Sequence, residues 1–547
     1  MKRPTALGAL ALSLVALAPM ILAPALASAD GVEAHRPLAS SPGAGDGLDR
    51  FRNQPVNWTV CQDTALAASG TRCARITVPL DYGKPRGRTI EVALSRIAST
   101  DPAKRRGILQ TNPGGPGVRG LGMPGELRKV MSPGAAAAYD IIGMDTRGLG
   151  ESTPLDCGLT RGTWLHSPGA DRAGFDTSVR LSREDARRCW ATHPDVLPHL
   201  STRNIARDLD LVRSVLGERR TSLLGQSYGT VLASTYAQMF PHRVDRLVLD
   251  SAPDPAEYPF RMVRRAGPAN ENALDDFARW AAPRHPEYGL GATPEAVRTG
   301  VEAMIGRAAQ EPIRLDRYRI TDHELPLLLL ISIGDDTANP EFAGMLRVLL
   351  DAADGKPVTV PPGLRASLTL ILESAGTGRA ADYAAQLGIY CADSAMPHDP
   401  EYYWRAVERS RESQPVFGPV SHAPLPCAFW KEKPREPLTV IDNEVPALQV
   451  QATGDTRTTY ESGLGMHRAM RGSKLVTVPA RTHTVYAHYP NDCVTRAVNT
   501  YLRHGTLPAQ DTLCANEHNS RTPSGPSGPE RPGPRGGLAW ADQLPHS

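Results

Sequence analysis

The 547-residue sequence predicts an α/β fold, a mostly parallel sheet with flanking helices and an inserted helical cap. Three observations lead there. Between residues 107 and 250, short apolar runs alternate with helical ones, the signature of strands joined by crossovers. From 254 to 435 the alternation stops and helix-like runs follow one another. At 446 the strand pattern resumes, so the intervening segment reads as an insertion into a sheet that is later completed.

The body of the chain opens with ARITVPLDY (74–82) and TIEVALSRIAS (89–99), where β-branched residues alternate and Pro or Gly marks the ends. Two further strand candidates, GILQTNPGGPG (107–117) and YDIIGMDTRGLGES (139–152), run into glycine-bearing loops. In NIARDLDLVRSVLG (204–217), Ile205, Leu209, Val212 and Leu216 keep the three-four spacing of one helix face, and Gly217 is a stop. Next come TSLLGQSYGTVLASTYAQMF (221–240), a strand turning into a helix, and the strand DRLVLD (245–250). The cap carries ALDDFARWAA, PEAVRTGVEAMIGRAA and PEFAGMLRVLLDAAD. The strands PALQVQATGD (446–455) and KLVTVPA (474–480) and the helix DCVTRAVNTYLRHG (492–505) close the fold. The expected organisation is a core in two parts, 51–253 and 436–514, around a cap at 254–435.

The ends differ in character. Lys2 and Arg3 precede an apolar stretch from Ala6 to about Leu22, followed by small residues that offer cleavage after Ala27 or Ala29, which predicts a signal peptide at 1–29 and a secreted, extracellular chain with no stable membrane association after cleavage. Residues 30–50 and 515–547, rich in small and turn-forming residues, read as a mobile leader or propeptide and a disordered tail. A net charge of +3 without long basic blocks argues against a nucleic-acid partner, and a monomer is expected.

All eight cysteines lie beyond the signal, and an even number in an exported chain favours disulfides. No C-x-x-C pair or Cys/His cluster of zinc spacing is present, so no metal is expected. Connectivity is open, but pairing neighbours in order makes four local staples: Cys61–Cys73, Cys157–Cys189, Cys391–Cys427 and Cys493–Cys514.

The chemistry centres on Gly225-Gln226-Ser227-Tyr228-Gly229, where an apolar strand ends and a helix begins. Small flanking residues let a chain turn sharply there and expose the serine as a nucleophile. A serine hydroxyl needs a base to take its proton and an acid to orient that base. Asp455 ends the strand PALQVQATG, and His483 follows the strand KLVTVPA, so both reach the strand ends where Ser227 sits. Asp442 and Glu444 precede their strand and fall at the wrong end; His488 is a rival on the same loop as His483, and His467 falls on a helix. The developing oxyanion calls for preorganised N–H donors, expected from the backbone of Tyr228 and of Gly115 in Asn112-Pro113-Gly114-Gly115-Pro116-Gly117. That loop lacks the lysine and Ser/Thr of a phosphate cradle, and no cofactor is expected.

With these residues in place, the chain resembles the secreted tripeptidyl aminopeptidases of actinobacteria, α/β-hydrolase serine peptidases related to proline iminopeptidase. The resemblance runs from Trp58 to Cys514 through CARITVPLDYGKP, NPGGPG, YDIIGMDTRGLGESTPLDC, ARDLDLVRSVLG, GQSYGT, MFPHRVDRLVLDSAPDP, IYCAD, GDTRTTY and THTVYAHYPNDCV. It implies the α/β-hydrolase fold, with Ser227 as nucleophile, Asp455 as acid and His483 as base. The chain departs from the family pattern at Val118-Arg119 in the oxyanion loop, at Thr459, where Asp455-Thr456-Arg457-Thr458-Thr459 stands for Asp-x-x-Thr-Pro, and at Arg481-Thr482 before the histidine.

The expected function is release of short N-terminal pieces, tripeptides by the resemblance, from peptides with a free N-terminus. The alternatives are an esterase or amidase acting on a small secreted metabolite, and a catalytically silent peptide-binding protein on the same scaffold. A substrate ammonium calls for a carboxylate in the cap, for which Glu257, Glu373 and Asp393 are candidates without a choice among them.

Overall fold

The computed structural model describes residues 46–160, 163, 165–373 and 379–517. The expected signal peptide, the leader up to residue 45 and the tail from 518 lie outside them.

The strands in chain order are β1 (Thr59–Val60), β2 (Arg72–Pro79), β3 (Thr89–Ile97), β4 (Gly107–Asn112), β5 (Tyr139–Met144), β6 (Thr221–Gln226), β7 (Val244–Asp250), β8 (Ile313–Leu315), β9 (Tyr318–Ile320), β10 (Ala447–Ala452), β11 (Ser473–Val478) and β12 (Thr512–Leu513). Ten of them form one sheet in the order β1-β2-β3-β5-β4-β6-β7-β10-β11-β12, while β8 and β9 make a separate hairpin. The β1-β2-β3-β5 pairings are antiparallel and all the rest of the sheet is parallel. The short edge strands β1 and β12 and the hairpin escape the sequence reading, since two or three residues are too few for an alternation to register.

Every residue of β4, β5, β6 and β10 is buried, because helices cover both faces. The two-residue period of a strand divides these side chains between the faces. Ile108, Ile142, Leu223, Leu247 and Leu249 pack with helices Thr202–Val215 and Tyr228–Met239 on one side. Leu109, Ile141, Leu224, Val248, Leu448 and Val450 pack with helices Met123–Val130 and Asp492–His504 on the other.

The segment between β7 and β10 has an apolar core of its own, built from helices Phe260–Ala281, Pro294–Gln310, Leu325–Ser332 and Asn339–Ala353 around Leu274, Phe277, Met304, Leu328 and Leu346. Helix Arg379–Asp393 behaves differently: its Ala384, Leu387 and Tyr390 join the core of the sheet. Helix Arg172–Thr192, whose arginine-rich surface hides its periodicity, comes from before β6, yet its Phe175 and Val179 pack against Tyr403, Val407 and Ala428 of the inserted segment. The inserted segment is thus tied to the sheet through its own helix Arg379–Asp393 and packs on a helix that precedes β6.

The four disulfides are Cys61–Cys73, Cys157–Cys189, Cys391–Cys427 and Cys493–Cys514, the neighbour pairing expected. Each closes a loop of 12 to 36 residues, and loops of that size are stabilised by about 3 kcal/mol through lost freedom of the unfolded chain.

Candidate active site

The candidate nucleophile is the last residue before helix Tyr228–Met239, with φ 54° and ψ −125°, backbone angles that a side chain tolerates only when its surroundings impose them. The glycines on either side impose them. A Cβ on Gly225 would lie 2.1 Å from the Gly229 carbonyl oxygen, and one on Gly229 would lie 2.3 Å from the Asn112 carbonyl oxygen. The serine's own N–H donates to the Asp250 carbonyl at the end of β7 (2.9 Å), and its carbonyl accepts from Thr230 N–H and Oγ1. Strand and helix therefore cross so closely that Ser227 is left at the apex.

The loop after β4 presses on this turn. Gly114 has φ +99°, and a Cβ there would sit 2.5 Å from the Gln226 carbonyl oxygen and 3.1 Å from the Tyr228 nitrogen. Its N–H is taken by Asn112 Oδ1 (3.0 Å), which leaves Gly115 as the next N–H along the loop. Tyr228 opens its helix, so its N–H has no acceptor within the helix.

The structure brings the candidate acid and the candidate base together. His483 Nδ1 lies 2.9 and 3.0 Å from the two carboxylate oxygens of Asp455. An ionised carboxylate only accepts, so Nδ1 carries the proton and Nε2 is left as the basic nitrogen. Asp455 is buried and held by its own loop: Oδ1 accepts from the N–H of Arg457 (2.8 Å) and Thr458 (3.0 Å), and Oδ2 from Thr458 Oγ1 (2.9 Å).

Asp250 links the two halves, and the sequence reading passed over it. Its carboxylate accepts from the N–H of Val485 (3.0 Å) and Tyr486 (2.8 Å), two and three residues after His483, while its backbone receives Ser227. Gln226 completes the tie, giving Nε2–H to the Tyr486 carbonyl (2.8 Å). Burial raises the Asp250 carboxyl to about 6 despite these donors. The signal was present: Asp250 ends a core strand, the same placement that singles out Asp455.

The rivals fall elsewhere. Asp442 and Glu444 pair with Arg471 before β10. His467 lies between Ser473 and Asp511. His488 is held by Gln226 Oε1 (3.2 Å), and burial, then the nearby His483, lower it to about 4, so it stays neutral at pH 7.

The arginines at or beside the three departures from the family pattern share one outcome: each reaches the inserted segment. Arg119 pairs with Asp382 (2.9 Å), Arg457 donates to the Leu330 carbonyl (2.9 Å), and the buried Arg481 bonds the Ile333 carbonyl, Asn339 Oδ1 and Asp276. None of the carboxylates considered for a substrate ammonium is open. Glu257 pairs with Arg265 and Glu373 with Arg317. Asp393 is buried, with Oδ1 accepting Thr202 N–H (2.7 Å) and Oδ2 accepting Thr202 Oγ1.

No group of three or more metal-ligating side chains occurs among the described residues, and no helix among them is long and apolar enough to cross a membrane. A cavity of about 360 Å³ lined by Asp81, His199, Arg207, Arg435 and Glu436 shares no residue with the site, and its charges pair with one another.

Residues 111–321 match the family described as α/β hydrolase fold, and residues 414–514 the one described as TAP-like protein. A tripeptidyl aminopeptidase of Streptomyces lividans is 31% identical over 502 residues, covering 86% of this chain and 89% of that protein. The serine protease Hip1 of Mycobacterium tuberculosis is 28% identical, covering 84% and 91%, and a carboxylesterase B of the same species is 29% identical, covering 88% and 95%.

Proposed function

The chain belongs to the tripeptidyl aminopeptidase family of α/β hydrolases and is a serine hydrolase, and from that membership we propose that it is an exported exopeptidase releasing short N-terminal pieces, tripeptides above all, from peptides with a free N-terminus. In this reading His483 Nε2 takes the proton of Ser227 Oγ as the serine attacks the scissile carbonyl, and Asp455 holds the ring and stabilises the imidazolium. The N–H groups of Tyr228 and Gly115 receive the oxyanion. His483 then protonates the leaving amine, and water, deprotonated by the same nitrogen, resolves the acyl-enzyme.

The exopeptidase reading rests on the likeness to a tripeptidyl aminopeptidase, and the observation that supports its hydrolytic step is the doubly held Nδ1 of His483, on a loop that Asp250 and Gln226 fasten to the strand ends beside Ser227. The test is a tripeptidyl anilide with a free amine against its N-acetyl counterpart, with products sized by mass spectrometry. The free amine is expected to be cleaved at least about tenfold better, as the loss of one charged contact implies. Equal rates would remove the aminopeptidase assignment and leave the hydrolase.

A second reading, an esterase or amidase acting on a small secreted metabolite, draws on the full engagement of Glu257, Glu373 and Asp393 and on the likeness to a carboxylesterase. A panel of aryl esters against tripeptidyl anilides separates the two.

A further inference from the structure

One helix of the inserted segment touches the candidate oxyanion site at four successive points. Asp382, in the first turn of helix Arg379–Asp393, holds Arg119 of the loop after β4 (2.9 Å). One turn on, Gln386 lies so close that a Cβ on Gly117 would come within 2.7 Å of it. After another turn, the Tyr390 hydroxyl donates to the Gly115 carbonyl (3.2 Å). At the helix end, Asp393 accepts the Thr202 hydroxyl (2.5 Å), which in turn meets the Tyr228 hydroxyl at 2.8 Å. With the Thr202 proton committed to Asp393, Tyr228 is the donor in that last bond.

We propose that helix Arg379–Asp393 sets the geometry of the oxyanion site, with Tyr390 as the positioning residue for Gly115 and the Asp393–Thr202 pair as the positioning element for Tyr228. The inference rests on the reading of Gly115 and Tyr228 as the oxyanion donors and adds what aims them. Two separate chain segments supply those donors, and the close backbone contacts at Gly114 and Gly229 set how near the segments lie without bonding Gly115 itself. The helix adds that bond at the Gly115 carbonyl and a second, through Thr202, at the Tyr228 side chain. The spacing fits: 382, 386, 390 and 393 advance by four, four and three residues and so share one face of the helix. Tyr390 is buried, with its ring 5.8 Å from that of Tyr258, and burial followed by the Asp393 charge raises its phenol, so it remains a donor across the working pH range. Donors held slightly out of place lose most of their effect on a developing charge, so this helix acts on rate rather than on binding.

The experiment compares a tripeptide ester with its thionoester, whose C=S sulfur is a poor hydrogen-bond acceptor, using the full chain. The wild-type protein is expected to prefer the ester by about 100-fold. Tyr390→Phe, which removes one oxygen and keeps the ring, is expected to lower kcat on the ester about tenfold with little change in KM and none on the thionoester, shrinking the ratio accordingly. Asp382→Asn, at a partly exposed position, is expected to shrink it about threefold and reads the same quantity if Tyr390→Phe does not fold. Tyr403→Phe, which breaks a bond to the Pro397 carbonyl elsewhere in the inserted segment, is the control and should leave the ratio unchanged. A wild-type ratio near one would overturn the oxyanion reading itself. A wild-type preference retained in both helix variants, or lost in the control as well, would overturn the positioning role and leave the oxyanion reading intact.

Discussion

At the nucleophile elbow backbone meets backbone: Gly225 lies against the Gly229 carbonyl, Gly229 against that of Asn112, and Gly114 against that of Gln226. Where the inserted segment meets the loops around this site, Gly117 packs closely on Gln386, but long side chains, Arg119, Arg457 and Arg481, also reach across to carbonyls and carboxylates. The first kind of contact leaves no room to yield, so a single added methyl displaces the serine. The second can lengthen, rotate or recruit water, so its loss is graded. The site thus combines a fixed candidate nucleophile with surroundings that can be tuned one side chain at a time.

Asp455→Asn offers the sharpest break on the fixed side. An amide in place of the carboxylate presents N–H to His483 Nδ1 or turns the ring to the wrong tautomer, and kcat is expected to fall about 10⁴-fold with the fold intact, as steady-state kinetics and circular dichroism would show. Next is Gly229→Ala, whose methyl would sit 2.3 Å from the Asn112 oxygen; urea unfolding is expected to report a loss of about 3 kcal/mol, and an unchanged midpoint would mean that the elbow yields after all. Removing Cys391–Cys427, which joins helix Arg379–Asp393 to the 426–429 turn, is expected to cost roughly 2–4 kcal/mol and to lower activity more than stability alone accounts for.

Asp250→Asn sharpens the comparison through pH. The folded carboxyl, at about 6, lies above its ordinary value near 3.8, so between those values the folded chain keeps a proton that the unfolded chain has lost. Stability from this group therefore falls as pH rises from about 4 to about 6. The variant lacks that slope, and the melting temperature of the wild-type protein is expected to fall relative to that of the variant as pH rises through this range. Smallest of all is Glu373→Gln: its partner Arg317 is at the surface, and kcat/KM is expected to stay within about twofold, as for most exposed ion pairs. A larger fall confined to free-amine substrates would instead assign Glu373 to the substrate ammonium.

Much of the site is legible in the chain because each part announces itself locally. Ser227 stands between two glycines at a strand-to-helix junction, and Asp455 and His483 each follow a short apolar strand. Asp250 carries the same signal but ends its strand in DSAPDP, with no histidine or serine motif to draw the eye. Helix Arg172–Thr192 is masked by its arginines, and the roles of Arg457 and Arg481 depend on what lies above them.

What the sequence determined by itself was the alternation of the longer strands and helices and the three residues proposed for catalysis, because periodicity, glycine and residue type are local properties; it left the cysteine pairing open. Which carboxylate fastens the histidine loop, which helix leans on the candidate oxyanion loop, and that the three carboxylates considered for the ammonium already have partners were decided only by the tertiary structure. Each of those facts is a distance between segments far apart in the chain, such as Asp250 with Tyr486 or Gly115 with Tyr390, and such distances exist only once the sheet has closed and the cap has docked.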